Sequence, residues 1–211
     1  MALPRKFFVR SSPLVAADLL GCWLVRAIGD RESRVRITET EAYLGATDPA
    51  SHAFRGQTSR NAPMFGKAGI AYVYFIYGMH YCFNVVTGRE GDPQAVLLRG
   101  AMDAKEGASR LKGPALLCRA LGIDLALNGA DLCGSGERSI WFEAGDRTSV
   151  STQATPRVGV RDLTPMRFVD TASQLPLSRY QKSEPRRARS INMPVLQHQS
   201  RRISRDKKIG W

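Results

Sequence analysis

The sequence predicts an α+β domain: a curved, mostly antiparallel β-sheet with flanking helices and a protruding β-hairpin. Three observations carry this expectation. Apolar and polar residues alternate through the middle of the chain, from Arg34 to Tyr43 and again from Tyr72 to Val86. Helical spacing appears instead on either side of that region. The chain has 211 residues, 43% of them hydrophobic, enough for one domain with a full core.

Taken in order, Ser11, Ser12 and Pro13 read as a helix start, with Ser12 as N-cap and Pro13 at the first helical position. The helix is expected to run from Pro13 to Val25, burying Leu14, Ala17, Leu20 and Leu24. Arg34 to Tyr43 reads as a strand. Val35, Ile37, Glu39, Glu41 and Tyr43 share one face, which begins apolar and ends in two carboxylates and a phenol. A strand leaving the core and emerging into a cleft has that profile.

Gly45 to Gly69 is rich in Gly, Pro, Ser, Thr and Asn and reads as a long loop region, a common seat of function. Tyr72 to Val86 reads as a hairpin whose tip is Tyr77, Gly78 and Met79. A turn there places Tyr74 opposite Cys82 and Tyr72 opposite Asn84, all on one face. Val96 to Leu98 reads as a short buried strand and Pro114 to Leu121 as a helix stopped by Gly122. Ile140 to Glu143 and Pro156 to Val160 read as further short strands. There is no internal repeat.

The last segment changes character. Residues 1–177 form the expected domain, and residues 178–211 carry ten Lys or Arg against Glu184 and Asp206. That is +8 of the formal net charge of +12, the composition of a flexible basic tail. The pI near 10.1 favours a polyanionic partner, nucleic acid ahead of an anionic membrane surface. The tail's share leaves the core with only a modest positive balance.

Cys22, Cys82, Cys118 and Cys133 form no C-x-x-C pair and suit no zinc module. Buried free thiols fit a reducing, intracellular setting: the cytoplasmic nucleoid in a bacterium or the nucleus in a eukaryote. No apolar run approaches the roughly 18 residues of a membrane span. His52 and His80 form no metal constellation with a carboxylate, so neither metal nor organic cofactor is expected.

Chemistry concentrates between Glu39 and Arg99. Glu39 and Glu41 face the same way on the expected strand. Two such carboxylates can be an acid and nucleophile pair, one catalytic group with one structural partner, or two surface glutamates. Arg99 ends the apolar run Ala95 to Leu98 and is the cation that would separate their roles. Tyr72 and Tyr74 fit ordinary cross-strand packing as well as a stacking platform. Tyr77 at a hairpin tip is hard to bury, and an exposed aromatic there can wedge into a base stack.

This block resembles the alkyladenine DNA glycosylase family, the mammalian-type 3-methyladenine DNA glycosylases. The resemblance rests on Glu39-Thr40-Glu41-Ala42-Tyr43-Leu44-Gly45, His52, Arg60-Asn61, Met64-Phe65, Tyr72-Val73-Tyr74, Tyr77-Gly78-Met79, Asn84 and Val96-Leu97-Leu98-Arg99. Phe7-Phe8, Leu19-Leu20-Gly21, Gly113-Pro114-Ala115 and Arg157-Val158-Gly159 extend it over roughly residues 5 to 168. The segment after Phe168 departs from the family pattern.

The resemblance implies a DNA repair glycosylase, expected here as a monomer; no motif poises a lysine or an N-terminal proline to form a Schiff base, so a monofunctional enzyme is expected. It would flip alkylated or deaminated purines out of double-stranded DNA, hydrolyse the glycosidic bond and leave an abasic site. Glu41 would be the general base, and Arg99 would hold the water and the carboxylate. Tyr43, His52 and Tyr74 would box the flipped base, and Asn84 would test its exocyclic group. Tyr77 would be the intercalating wedge. Met64 and Arg60 would contact DNA, Met64 at the backbone or opposite strand near the wedge.

Two other readings compete. A base-flipping lesion-binding protein would have the wedge and the pocket but no cutting chemistry, which an intact Glu41 and Arg99 disfavour. A glycoside hydrolase would use Glu39 and Glu41. None of the three tryptophans lies between Glu39 and Arg99, so the sugar-binding platforms expected of such an enzyme are missing there.

Overall fold

The polar loops and short alternating runs leave one surface to fold around, a sheet curled over its own apolar face. The computed structural model describes residues 1–103, 110–134 and 138–173. They form one α+β domain in which every strand pairing is antiparallel. The strands are β1 (Trp23–Ile28), β2 (Arg31–Tyr43), β3 (Ala71–Ile76), β4 (His80–Thr87), β5 (Gln94–Asp103), β6 (Arg110–Lys112), β7 (Ile140–Glu143), β8 (Thr152–Thr155) and β9 (Arg167–Asp170). The order across the sheet is β3-β4-β5-β2-β1-β7, with β6 on β5, β9 on β2 and β8 on β9. The basic tail at 178–211 lies outside the described residues.

Three short helices, α1 (Arg5–Phe8), α2 (Ser12–Leu19) and α3 (Pro114–Ala120), accompany the sheet. α2 packs across β2 and β5, and α3 across β4 and β5. The apolar core gathers Phe8, Leu19, Leu24, Val35, Ile37, Phe83, Leu98, Leu117 and Phe142, among others. At about 25 cal/mol per Å² of apolar area removed from water, such burial is the main force holding the sheet curled. Among the described residues no helix is long and apolar enough to cross a membrane. All four cysteines are free, and Cys22, Cys82 and Cys118 are buried.

The first expected helix is shorter than its pattern. α2 stops at Leu19, and Gly21, at φ +84°, turns the chain into β1. Leu20 and Leu24 therefore reach the core from a turn and a strand, while Leu14 is 59% exposed. The helix buries Val15, Ala16 and Leu19 instead. Its N-cap is Ser11. The Ser12 hydroxyl donates to the Tyr43 carbonyl at 3.0 Å and so anchors the end of β2. Pro156 to Val160 is not a strand: Arg157 is drawn into a buried ion pair, and the strands lie on either side of that loop.

The hairpin has the expected register, with Tyr74 opposite Cys82 and Tyr72 opposite Asn84. Tyr77 (φ +55°) and Gly78 (φ +68°) form its turn, and Met79 N–H closes it on the Ile76 carbonyl at 3.3 Å. Positive φ at both central residues matches the twist of the flanking strands. Tyr77 is 75% and Met79 68% exposed.

β2 departs from simple alternation in a way that makes the site. Ile37 pairs with Ala101, Glu39 with Gly100 and Thr40 with Leu98. Thr38 is thus an extra residue on β2, and Arg99 an extra residue on β5. Each bulge exchanges the two faces of its strand. Val35 and Ile37 point into the core, and beyond the bulge Ala42 does so, with Thr40 donating to the Ala16 carbonyl of α2 at 2.9 Å. Glu39, Glu41 and Tyr43 are left on the opposite face. The expected continuous face, apolar at one end and acidic at the other, is therefore two faces joined at Thr38.

Candidate active site

A pocket of about 350 Å³, its open mouth included, is lined by Tyr43, Ala50, Ser51, His52, Met64, Tyr72, Tyr74, Asn84 and Ala95. β2 supplies Tyr43, the loop after it His52, and the pocket-facing side of the hairpin Tyr72, Tyr74 and Asn84. The structure thus brings together all four expected base-pocket residues. It adds Tyr72, for which alternation alone allows cross-strand packing as well as a stacking platform.

The aromatic walls touch one another. His52 lies edge-on to Tyr74, with centroids 4.6 Å apart, and Tyr72 lies 5.4 Å from Tyr74. His52 Nδ1 hydrogen-bonds the Tyr72 hydroxyl at 2.8 Å. The Asn84 amide donates to the Tyr72 carbonyl at 2.9 Å, which fixes its side chain in the wall. Burial pushes the Tyr72 phenol up to about 12. Burial raises Tyr74 further, with Cys82 adding to the effect. These rings stay neutral and present apolar faces with polar edges. Crowding against the tyrosines, with help from the Arg60 cation, lowers His52 below the ordinary 6.5 although one side of the residue meets solvent.

Two residues assigned to DNA contact part company. Arg60 is exposed at the lip: its guanidinium lies 5.4 Å from the Tyr74 centroid and donates to the Phe75 carbonyl at 3.2 Å. Met64, expected at the DNA backbone or opposite strand, is 2% exposed. It packs with Ala53, Tyr72, Val86 and Ala95 in the pocket wall. The short 3-10 turn Ala62–Phe65 carries it inward, so its contact is with the pocket's interior. Tyr77 stands clear at the hairpin tip.

Glu41 is fully buried and meets the pocket through Tyr43. The Tyr43 hydroxyl donates to Glu41 Oε2 at 2.9 Å, and the Val158 N–H donates to Oε1 at 2.7 Å. Arg99 Nε lies 3.4 Å from Glu41 Oε1 and 3.1 Å from Glu39 Oε1. Arg167 Nε donates to the same Glu39 oxygen at 2.7 Å. A buried chain of alternating charge results, Arg167, Glu39, Arg99, Glu41. Glu39 is the partner of two arginines, and Glu41 is the carboxylate nearer the pocket. Burial works to lower Arg99, but Glu41 and Glu39 outweigh it and hold the guanidinium charged. Burial, then the Glu41 charge, pushes the Tyr43 phenol well up, so its O–H remains a donor.

Sequence reasoning gave no role to Arg157, although it stands in a motif of the resemblance, and passed over Arg167 and Asp48. Arg157 is 3% exposed and forks onto Asp48, Nη1 at 2.5 Å and Nη2 at 3.0 Å. Its Nη1 also donates to the Ala42 carbonyl at 3.1 Å, and its Cζ lies 4.7 Å from the Tyr43 centroid. Asp48 in turn accepts from the Leu44 and Ala50 amides. Nothing local marks these residues; only the fold brings positions 48 and 157 together. Among the described residues no group of three or more His, Cys, Asp or Glu is placed to hold a metal ion.

Comparison with known proteins gives a consistent result. The family model described as methylpurine-DNA glycosylase (MPG) matches residues 6–174. A protein of Methanocella arvoryzae is 44% identical over 189 residues, 81% of this chain and 93% of its own length. One of Carboxydothermus hydrogenoformans is 45% identical over 185 residues, 80% and 94% of the two chains. One of Legionella pneumophila strain Lens is 52% identical over 158 residues, 75% and 85%. Each bears the name "Putative 3-methyladenine DNA glycosylase".

Proposed function

The chain belongs to the methylpurine-DNA glycosylase family, and on that premise we propose that it excises alkylated purines from duplex DNA by hydrolysis at a flipped-out nucleotide. One observation carries the reading. Tyr43 forms a wall of an aromatic pocket and at the same time hydrogen-bonds a fully buried carboxylate, Glu41. A base held on that wall has its sugar close to the group that would activate water.

The steps follow from the residues. A base must leave the stack before its glycosidic bond can be reached, at a cost of a few kcal/mol. Tyr77 would fill the gap in the duplex, and stacking among Tyr43, His52 and Tyr74 would offset the rest. A purine alkylated at a ring nitrogen is cationic and is drawn to neutral tyrosine faces. The glycosidic C1′–N bond breaks with its electron pair going to the base, which leaves uncharged. Water supplies the new C1′–O bond and gives its proton to Glu41.

An ionised carboxylate offers about four lone-pair sites. Tyr43 and Val158 each take one on Glu41, and Arg99 stands 3.4 Å from Oε1, so acceptor capacity remains for a water. Among the described residues no lysine or amino terminus lines the pocket, which supports a monofunctional enzyme that leaves an intact abasic site. The basic tail would add salt-sensitive, sequence-independent attachment to the duplex.

Single-turnover base release tests the proposal. Methylated duplex DNA and a duplex carrying hypoxanthine are the substrates, with wild type beside Glu41→Gln. Wild type should release methylpurine, and the variant should lose about 10²- to 10⁴-fold in rate while still binding the lesion. Tight lesion binding without release by wild type would instead indicate a non-catalytic base-flipping protein.

A further inference from the structure

The Tyr43 ring has two sides, and only one belongs to the pocket. Arg157 is almost wholly buried, does not line the pocket, and sits 4.7 Å from the ring centroid. It therefore backs the face turned away from a bound base. A base stacked on the front at about 3.5 Å lies roughly 8 Å from that guanidinium. Left alone, the charge would oppose a cationic purine through a water-poor wall while leaving a neutral purine almost unaffected.

The charge is not left alone. Asp48 takes both outer nitrogens of Arg157 in a bidentate fork. Burial alone would raise the Asp48 carboxyl, but its bond to Arg157 and the Leu44 and Ala50 amides hold it below the ordinary carboxylate range. Asp162, half exposed, adds a looser contact at 3.5 Å. The other charges near the ring, Glu41 and Arg99, form their own pair.

We propose that Asp48 and Arg157 are a charge-neutral backing for the Tyr43 wall, and that their balance sets the preference for cationic over neutral purines. Both are positioning residues: they act on the base through the ring. Arg157 supplies the clamp, since the same guanidinium ties the Ala42 carbonyl and the Asp48 loop together. Asp48 supplies the compensation that lets a positively charged base occupy the front face.

The inference rests on the glycosylase reading above, and the test separates the two. Single-turnover release of 7-methylguanine (cationic) and of hypoxanthine (neutral) is measured on the same protein preparation, and the ratio of the two rates is the readout. Asp48→Asn leaves the Arg157 charge uncompensated and should lower the ratio, by on the order of tenfold. Arg157→Gln leaves the Asp48 charge behind the ring and should raise it. The double variant should return the ratio to the wild-type value.

A clamp with only a structural role would slow both substrates alike in every variant, and an unchanged ratio would overturn the proposal. So would shifts of the same sign in the two single variants. Failure of wild type to release either base would remove the glycosylase reading itself. Because the opposite signs are read from two separate single variants, either protein alone still tests the idea.

Discussion

The Tyr43 hydroxyl donates to Glu41 Oε2 at 2.9 Å although the two residues stand only two positions apart on β2. Same-face neighbours on a strand are normally parallel and indifferent to each other. Here the ring that lines the pocket also holds the carboxylate, so the position of a stacked base and that of the water-activating group are set by one side chain. The consequences can be tested residue by residue.

Tyr77 adopts φ +55°, a left-handed conformation that costs a non-glycine residue roughly 1–2 kcal/mol, and it buries little in return. Tyr77→Asn keeps a residue that tolerates this conformation. The urea midpoint should hold or rise, while base release from duplex DNA should drop by about tenfold or more, since extrusion costs a few kcal/mol. A fall in both would show that the ring stabilises the free hairpin.

His52 has a folded pKa below its ordinary 6.5, first through burial and then through Arg60. Between the folded and unfolded values the native state binds fewer protons. Its contribution to stability is therefore complete above about 6.5 and is lost as pH falls through the folded value. An NMR titration should place the His52 ring below 6.5, and Arg60→Gln should move it part of the way back. Release of a cationic purine should decline over the same acid range, because an imidazolium in the wall repels it.

Arg167 and Glu39 form a buried pair at 2.7 Å. Removing one partner of such a pair typically costs about 3–5 kcal/mol. Arg167→Gln should lower the unfolding free energy by that order in urea, and should slow base release as Arg99 is drawn toward Glu39. A loss under about 1 kcal/mol would mean that the contacts remaining to Glu39, Arg99 among them, balance its charge.

Gly45 opens the loop that carries Asp48 and His52. Its φ is +68°, and a Cβ there would lie 2.6 Å from the Pro93 carbonyl oxygen, a backbone atom that cannot swing away. Gly45→Ala should destabilise by at least about 2 kcal/mol. Gly134→Ala, whose Cβ would meet Asp131 at an ordinary 3.6 Å, is the control and should leave thermal unfolding nearly unchanged.

The hairpin was legible because its register needs only a turn residue and a period of two, so Tyr74 opposite Cys82 followed from arithmetic. The strand carrying Glu41 was legible as a strand but not in its facing, because a bulge leaves no local mark in the amino acids around Thr38. The first helix was overrun because Leu20 and Leu24 suit helical spacing even though they descend into the core from a turn and a strand. The pocket's tyrosines lie within a short stretch and could be listed in advance. Arg157, named only within a motif of the resemblance, and Arg167 reach the site through loop and strand pairings more than a hundred residues away, and no nearby spacing gives either of them a role.

The two bulges, Thr38 on β2 and Arg99 on β5, offset one another: the pairing frame is the same on either side of them. Deletion of Thr38 alone would leave Ile37 and Glu39 as neighbours on opposite faces, so Glu41 and Tyr43 would keep to the pocket side and Thr40 and Ala42 to the core. Deletion of Arg99 alone would likewise keep Leu98 and Ala101 facing the core, with Gly100 between them on the other face. Deleting both would leave a well-aligned, foldable sheet that has simply lost its guanidinium. The arginine is thus an insertion set against a second insertion on the neighbouring strand, and a lineage can gain or lose it through a change of one residue in chain length without turning either strand over.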